Sequence, residues 1–575
     1  MLFLICREII MRILLTAINA KYIHSNPAVY SLKAAAGDLA QYVELAEFTI
    51  NHRTEEILAE LYRRKPDVLL FSCYIWNIEY VKELAAECRK VLPEVPIWLG
   101  GPEVSFDAER ILVENEAVDG ILTGEGEESF RCLADCCVRG DREGFAKIPG
   151  AVYRCPKGGK TAAGVPAGGC LELDSLPFPY GNMEGLEHRI LYYESSRGCP
   201  FSCSYCLSSV EKSVRFRDLY LVKKELRFFL DRKVPQVKFV DRTFNLRQER
   251  ARDIWQFLLE QDNGVTNFHF EIAADLLDEA DLALLKQMRP GLIQLEIGVQ
   301  STNPRTLEAV RRKTDWEKLK KNVEGIRRGA NIHQHLDLIA GLPYEDYTSF
   351  ARSFDQVFAL EPDQLQLGFL KVLKGSPLYR EAGKFGIVWK DKPPYEVLYS
   401  NWISFAEILQ LKEIEEMVEI YYNSHQFRYT LARLLQGFSS PFRFFEELAV
   451  YYEETGRFGR NYSRLQRYEI LLEFIRQRFP AEERRYRELL TVDLYLRERF
   501  KSRPSFAPDR SAFGETLREI LRQAGKQNHV EVLTENTKEP AYLIFDYSRR
   551  NPLTGNACLS WWKGKAFCGD FGLLS

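Results

Sequence analysis

No apolar run in this 575-residue chain approaches the ~20 residues that a membrane-spanning helix needs. No long block of like charge stands out either. The formal net charge is only -3, which points to neither a polyanion partner nor an acidic tail. Internal repeats and low-complexity tracts are absent, so no repeat architecture is expected. A secretory signal is also missing: the opening MLFLICREII is cut short at Arg7 and Glu8. A better element, MRILLTAIN, opens at Met11, so we expect the leading segment to be dispensable or translation to start at Met11. Without a secretory context, thirteen cysteines, an odd number, favour reduced thiols and metal ligation over a disulfide framework. The expected compartment is the cytoplasm.

What is present is globular. Hydrophobic residues make up 46% and charged residues 28%, and the length calls for two to four domains of roughly 100–200 residues. From Met11 to about Phe130, short apolar runs (ILLTAIN, VELAEFT, DVLLFSCY, VPIWLGG, DGILTG) alternate with helical stretches such as RTEEILAELYRR. Five strands separated by helices predict an open, parallel, doubly wound α/β sheet, with ligands at the carboxyl ends of the strands. This domain is expected over residues 11–140. A linker over 141–185 follows, and its CPKGGKTAAGVPAGG reads as a hairpin or loop.

A second alternation runs through ILYYE, QVKFV, FHFEIA, LIQLEIGV, HLDLIAG and QLQLGFL. Six βα units fit a partial barrel over 186–388, since a complete eight-stranded one needs ~250 residues. Beyond it, residues 389–575 turn to long amphipathic helices and end in short strand-like runs.

Just after the first barrel strand stands SSRGCPFSCSYC, a C-x3-C-x2-C of Cys199, Cys203 and Cys206. Three thiolates on one loop ligate three irons of a cubane cluster and leave the fourth iron open to a cosubstrate. A structural zinc site would want four closed ligands, and no fourth cysteine or histidine lies nearby.

The motif, its place after the first strand and the partial barrel resemble the radical SAM superfamily. The resemblance implies a 4Fe–4S cluster whose free iron chelates S-adenosylmethionine (SAM), reductive cleavage to a deoxyadenosyl radical, and an electron donor such as a flavodoxin or ferredoxin. It places Tyr205 beside the adenine. FVDRTFN puts Asp241 and Asn245 near the site, and EIGVQS puts Glu296, Gln300 and Ser301 at the ribose or amino-acid portion. DLIAGLP, with Gly341, resembles the segment cradling adenine, and LKGSPL the loop after the sixth strand.

A doubly wound domain ahead of such a barrel resembles the cobalamin-dependent branch. GGPEVSF, with Gly100 and Gly101, and VDGILTGEGEESF, with Gly124, Glu125, Gly126 and Glu127, look like its cobalamin-binding loops. Glycines there let backbone approach a bulky ligand. Ser72, with Tyr74, Trp76 and Asn77, could face the corrin's lower side. The D-x-H-x-x-G loop of many cobalamin proteins is replaced by NAKYIHSNP. His24 is therefore either a cobalt ligand or a loop histidine packed on Tyr22, and the second reading is favoured.

Cys132, Cys136 and Cys137 read as small buried hydrophobes on a helix. Arg- and Tyr-rich stretches near the C-terminus have Glu interleaved, which argues for solvated helix faces and against nucleic acid. The resemblance implies methyl transfer to, or rearrangement of, an unactivated carbon of a substrate the sequence does not name. One alternative is an RNA methylthiotransferase, disfavoured because Cys6, Cys73 and Cys88 are poorly placed for its second cluster. The other is a non-enzymatic cobalamin- or redox-sensing Fe–S protein.

Overall fold

The computed structural model describes residues 11–155, 161–166, 171–181, 183–525, 527–535, 537, 539–563 and 566–570, with 563 and 566–570 described by backbone alone. The leading segment before Met11, with Cys6, and much of the glycine-rich connector lie outside them. The chain divides into two compact units. One holds the residues up to Gln287 with Glu308–Lys313 and Leu370–Ser400. The other holds Met288–Leu307, Thr314–Phe369 and Asn401 onward.

In the first unit, β1 (Ile13–Asn19), β2 (Val43–Thr49), β3 (Val68–Ser72), β4 (Ile97–Gly100) and β5 (Gly120–Leu122) pair in parallel in the order β2-β1-β3-β4-β5. All seven residues of β1 are buried, as a strand covered on both faces requires, whereas only Val43, Ala46 and Thr49 of edge strand β2 are buried. The helices are α1 (Pro27–Ala35), α2 (Thr54–Arg64), α3 (Ile78–Val91), α4 (Pro102–Ser105), α5 (Ala108–Glu114) and α6 (Gly126–Arg139). Asn26 caps α1 by accepting from the Val29 N–H, with Pro27 in the first turn. Fully buried Trp98 lies across Gly120 of the neighbouring strand, where a Cβ would stand 2.4 Å from its ring.

The connector does more than link. β6 (Ala151–Arg154) and β7 (Thr161–Ala163) add two antiparallel strands to the β5 edge, so the five expected strands become a seven-stranded sheet.

Then come β8 (Leu191–Tyr193) and the short antiparallel pair β9 (Ser196–Arg197) and β10 (Arg215–Phe216), which flanks the cysteine loop. Helix α7 (Leu219–Asp231) is capped by Asp218. β11 (Gln236–Phe239) pairs in parallel with β8 and with β12 (Asn267–Ile272). In the second unit, β13 (Ile293–Gln300), β14 (His333–Ala340) and β15 (Gln364–Phe369) pair in parallel in that order. All six barrel strands stand where the apolar runs placed them.

The C-terminal region is mainly helical, with helices at Phe405–Val418, Arg428–Leu435, Pro441–Glu454, Arg464–Arg478 and Glu483–Arg497. Residues 488–496 are buried without interruption, which makes the last of these a central helix. Its Asp493 accepts from the N–H groups of Tyr429 and Thr430 and so caps the Arg428–Leu435 helix. The strand-like terminal runs form an antiparallel sheet whose Leu533, Leu543, Phe545 and Leu559 pack with Val492, Tyr495 and Leu496.

Candidate active site

The cysteine loop is held by its ends and its middle. Gly198 turns the chain at φ +99°, and a Cβ there would stand 2.0 Å from the Ser213 carbonyl oxygen, so only glycine fits. The Cys199 N–H donates to Glu211 O and the Cys206 N–H to Cys203 O. Between the thiols, the Ser204 N–H donates to Val310 O, and Ser204 O accepts from the Leu378 N–H of the LKGSPL segment.

Cys199 and Cys203 are buried and Cys206 is half-buried. Burial pushes the Cys199 thiol up, while the Phe201 N–H and the Thr243 hydroxyl at 3.9 Å pull it down; Cys206 and Cys203 are its electrostatic neighbours. Among the described residues, no three His, Cys, Asp or Glu side chains gather as ligands of one metal ion would. That suits a cubane, whose cysteines each bind a different iron and need not share one centre. Three soft thiols on one loop, with no fourth protein ligand beside them, fit such a cluster.

Sequence reasoning missed Arg312. Its Nη1 lies 3.9 Å from Cys203 Sγ and 3.5 Å from Tyr205 Oη, which sets a guanidinium beside one of the three thiols. Arg311, at φ +56°, pairs with Glu381 instead, so successive arginines diverge. In the sequence the pair reads as an ordinary charged surface run.

Asp241 follows β11 by two residues and is fully buried. It accepts from Ser195 N–H (2.9 Å), Ser195 Oγ (2.6 Å) and Ser196 Oγ (2.6 Å), and burial pushes its carboxyl up to about 6 against those bonds. Asn245, also buried, clasps Ala273 through both its amide atoms. Both side chains thus grip the chain around the site.

In the second unit, Glu296 and Gln300 lie on β13, where Gln300 adopts φ +72° and buries an unpartnered Oε1. The Ser301 hydroxyl donates to Glu345 Oε1 at 2.6 Å, and Gly341 turns at φ +86° directly after β14.

A cavity of about 600 Å³ opens in the first unit, within the usual range of cofactor pockets. Ser72, Tyr74, Gly100, Gly101, Gly124, Glu125, Gly126 and Glu127 line one side. Glu194, Ser196, Arg197, Gly198, Leu207 and Glu211, the flanks of the cysteine loop, line the other. Gly101, at φ +115°, brings its backbone so close to Cys73 that a Cβ would be 2.5 Å from the Cys73 carbonyl oxygen. Exposed Gly124 turns at φ +75°. A glycine-lined wall lets a corrin approach the backbone closely, and α6, beginning on it, offers N–H groups to polar side arms, so the lining fits cobalamin.

The remaining candidates are accounted for locally. Trp76 stacks on Tyr74 and donates to Ile18 O; Asn77 binds Ile18 O, Ser72 O and the Tyr74 N–H. His24 packs on Tyr192, with ring centroids 6.1 Å apart. Its Nδ1 meets the Tyr192 hydroxyl at 2.8 Å, and His24 is not among the residues lining the cavity. Cys132, Cys136 and Cys137 join the apolar cluster between α6 and the sheet. Cys73 and Cys88 are fully buried in the sheet core, and burial raises both thiols to about 12.

Comparison with protein families finds three matches along the chain. The B12 binding domain matches residues 13–134 and the Radical SAM superfamily residues 193–357. The chain carries a B12-binding domain followed by a radical SAM domain. A third match, to a protein of unknown function (DUF4080), covers residues 383–545. Among relatives, the cobalamin-dependent radical SAM methyltransferase TokK of Streptomyces tokunonensis is 27% identical over 55% of this chain and 48% of its own length. The hopanoid C-3 methylase of Methylococcus capsulatus is 27% identical over 50% of this chain and 55% of its own. The chain thus spans about half the length of the curated relatives it matches. The solved cobalamin-dependent SAM radical enzyme OxsB shares the fold at a TM-score of 0.56, with 14% identity over 90% of this chain and 81% of its own. The radical SAM domain implies a 4Fe–4S cluster and SAM, and the B12 domain implies cobalamin. No helix among the described residues is long and apolar enough to cross a membrane.

Proposed function

We propose that this B12-binding radical SAM protein cleaves SAM reductively and uses the radical to methylate or rearrange an unactivated carbon of its substrate. One observation carries the reading: a single cavity is walled by the glycine loops of the B12 domain and by the flanks of the Cys199–Cys206 loop. The cluster would be held by Cys199, Cys203 and Cys206, and cobalamin by the backbone of the Ser72, Gly100–Gly101 and Gly124–Gly126 loops. Bound there, a cluster with one open iron and a corrin would supply one-electron reduction of SAM and a methyl carrier.

The chain's own part is positioning. Asp241 fixes the start of the cysteine loop, Ser204 is gripped from both sides, and Arg312 sets positive charge beside Cys203. Tyr205, Glu296, Gln300, Ser301 and Gly341 are our candidates for the SAM contacts. An electron donor of the flavodoxin or ferredoxin type, and a cytoplasmic location where such donors work, complete the proposal. Relatives named as methyltransferases favour methyl transfer over rearrangement. A second cluster of the methylthiotransferase kind finds no support among the described residues, because Cys73 and Cys88 are sealed in the core.

The test is anaerobic reconstitution with iron, sulfide and cobalamin, followed by reduction in the presence of SAM. Deoxyadenosine should form, and Cys203→Ala should abolish both it and the cluster's absorbance. No deoxyadenosine from a fully loaded cluster would overturn the radical mechanism. Failure to retain cobalamin would overturn its corrin branch.

A further inference from the structure

The two glutamates of the GEGE turn face the cysteine loop rather than open space. Glu127, at the start of α6, is buried to 7% exposure. Its Oε1 accepts from Arg197 Nη2 at 2.7 Å and from the Ser31 hydroxyl at 3.4 Å, and its Oε2 accepts from Arg197 Nη1 at 3.4 Å. Glu125 takes both terminal nitrogens of Arg215, and its Oε2 lies 3.3 Å from Arg197 Nη1. Arg197 and Arg215 are partners across the β9–β10 pair, the clip from which the Cys199–Cys206 loop projects. Each arginine is steadied from its own side as well, Arg197 by Glu194 at 2.7 Å and Arg215 by Glu211 at 3.2 Å and Leu171 O at 2.6 Å. The result is an alternating row of four carboxylates and two guanidiniums along the cavity wall.

Such an arrangement leaves these carboxylates little capacity to bind a corrin's amide arms. All four oxygens lie within contact distance of a guanidinium, and partly buried, fork-shaped arginine–carboxylate pairs are the directional kind. The backbone of Gly124 and Gly126 faces the cavity independently of those side chains.

We propose that Glu125 and Glu127 are positioning residues for the cluster loop. They act through Arg215 and Arg197, and the glycines beside them contact the corrin. The inference rests on the proposed function and adds a division of labour within one four-residue turn. It also ties the B12 domain to the cluster: removing either glutamate unties from this turn an arginine two residues before Cys199 or its strand partner. Glu194 and Glu211 still hold the two arginines from the loop's own side, so what is lost is the tie that fixes the loop against the B12 domain.

The experiment compares the parent chain with Glu127→Gln, Glu127→Asp and Glu125→Gln. Cobalamin affinity is measured by absorbance titration, and the reduced, reconstituted cluster is examined by EPR with and without SAM. In Glu127→Gln, cobalamin affinity should stay within about twofold of the parent. Iron per chain should fall, or the SAM-induced change in the EPR spectrum should be lost. Glu127→Asp, which keeps the charge, should restore that spectrum at least in part. Should Glu127→Gln fail to fold, Glu125→Gln decides by the same two readouts. A tenfold loss of cobalamin affinity with an unchanged cluster spectrum would overturn the proposal, as would variants in which neither readout moves. A parent chain that binds no cluster and no cobalamin would instead overturn the functional reading beneath it, a result visible before any variant is made.

Discussion

Asp241 receives both the backbone N–H and the hydroxyl of Ser195, at 2.9 and 2.6 Å, across 46 residues of sequence. The Ser196 hydroxyl adds a third bond at 2.6 Å. This places a buried carboxylate under the first residues of the cysteine loop. Replacing it with Ala leaves three buried donors without an acceptor, each costing about 1–3 kcal/mol. We expect Asp241→Ala to lower thermal stability and to reduce iron retained per chain after reconstitution. Iron content equal to the parent's would show that the loop does not depend on this anchor.

Two glycines should separate the two cofactors. Alanine at Gly198 meets the Ser213 carbonyl oxygen, and alanine at Gly101 meets that of Cys73; both also sit at positive φ. Backbone strain of this kind costs about 1–3 kcal/mol before the clash is counted. Gly198→Ala should lose the cluster while still taking up cobalamin. Gly101→Ala should show the reverse, read as iron content against bound corrin absorbance. A folded Gly101→Ala chain with parent-like cobalamin affinity would place the corrin elsewhere.

What the sequence revealed and what it hid follow from range. ILLTAIN was legible because burial on both faces demands a nearly continuous apolar run. The cysteine loop was legible because three ligands stand within eight residues. The Glu125–Arg215 pair joins positions 90 apart, and nothing in either segment's composition sets that register. Arg312 was hidden for a related reason, since only the backbone turn at Arg311 sends one arginine of the pair inward. The connector was read as a hairpin or loop, but its pairing on the β5 edge depends on an edge strand that the local sequence does not describe.

His24 should not ligate cobalt. It is not among the residues lining the cavity assigned to the corrin; its Nδ1 meets the Tyr192 hydroxyl and its backbone bridges to Ile190. In the reduced cobalt(II) form, the EPR spectrum of the bound corrin should carry no nitrogen splitting from histidine. His24→Gln should leave that spectrum unchanged. A splitting that disappears in the variant would assign His24 to the metal.

Glu345 gives the fold a pH dependence of definite sign. It is 1% exposed; Ser301 and Ser353 donate to its Oε1, while Oε2 is buried without a hydrogen-bond partner. Burial pushes its carboxyl up to about 7, against the pull of the two hydroxyls. The folded state therefore holds a proton that the unfolded chain releases near its ordinary value. The resulting stabilisation is complete below that value and is lost as pH rises through about 7. Glu345→Gln has no such proton to lose, so the parent should weaken relative to the variant by up to about 3 kcal/mol between pH 4.5 and 8. Denaturant midpoints of the two chains across that range are the check. Parallel curves would mean that Glu345 ionises in the folded protein as it does in water.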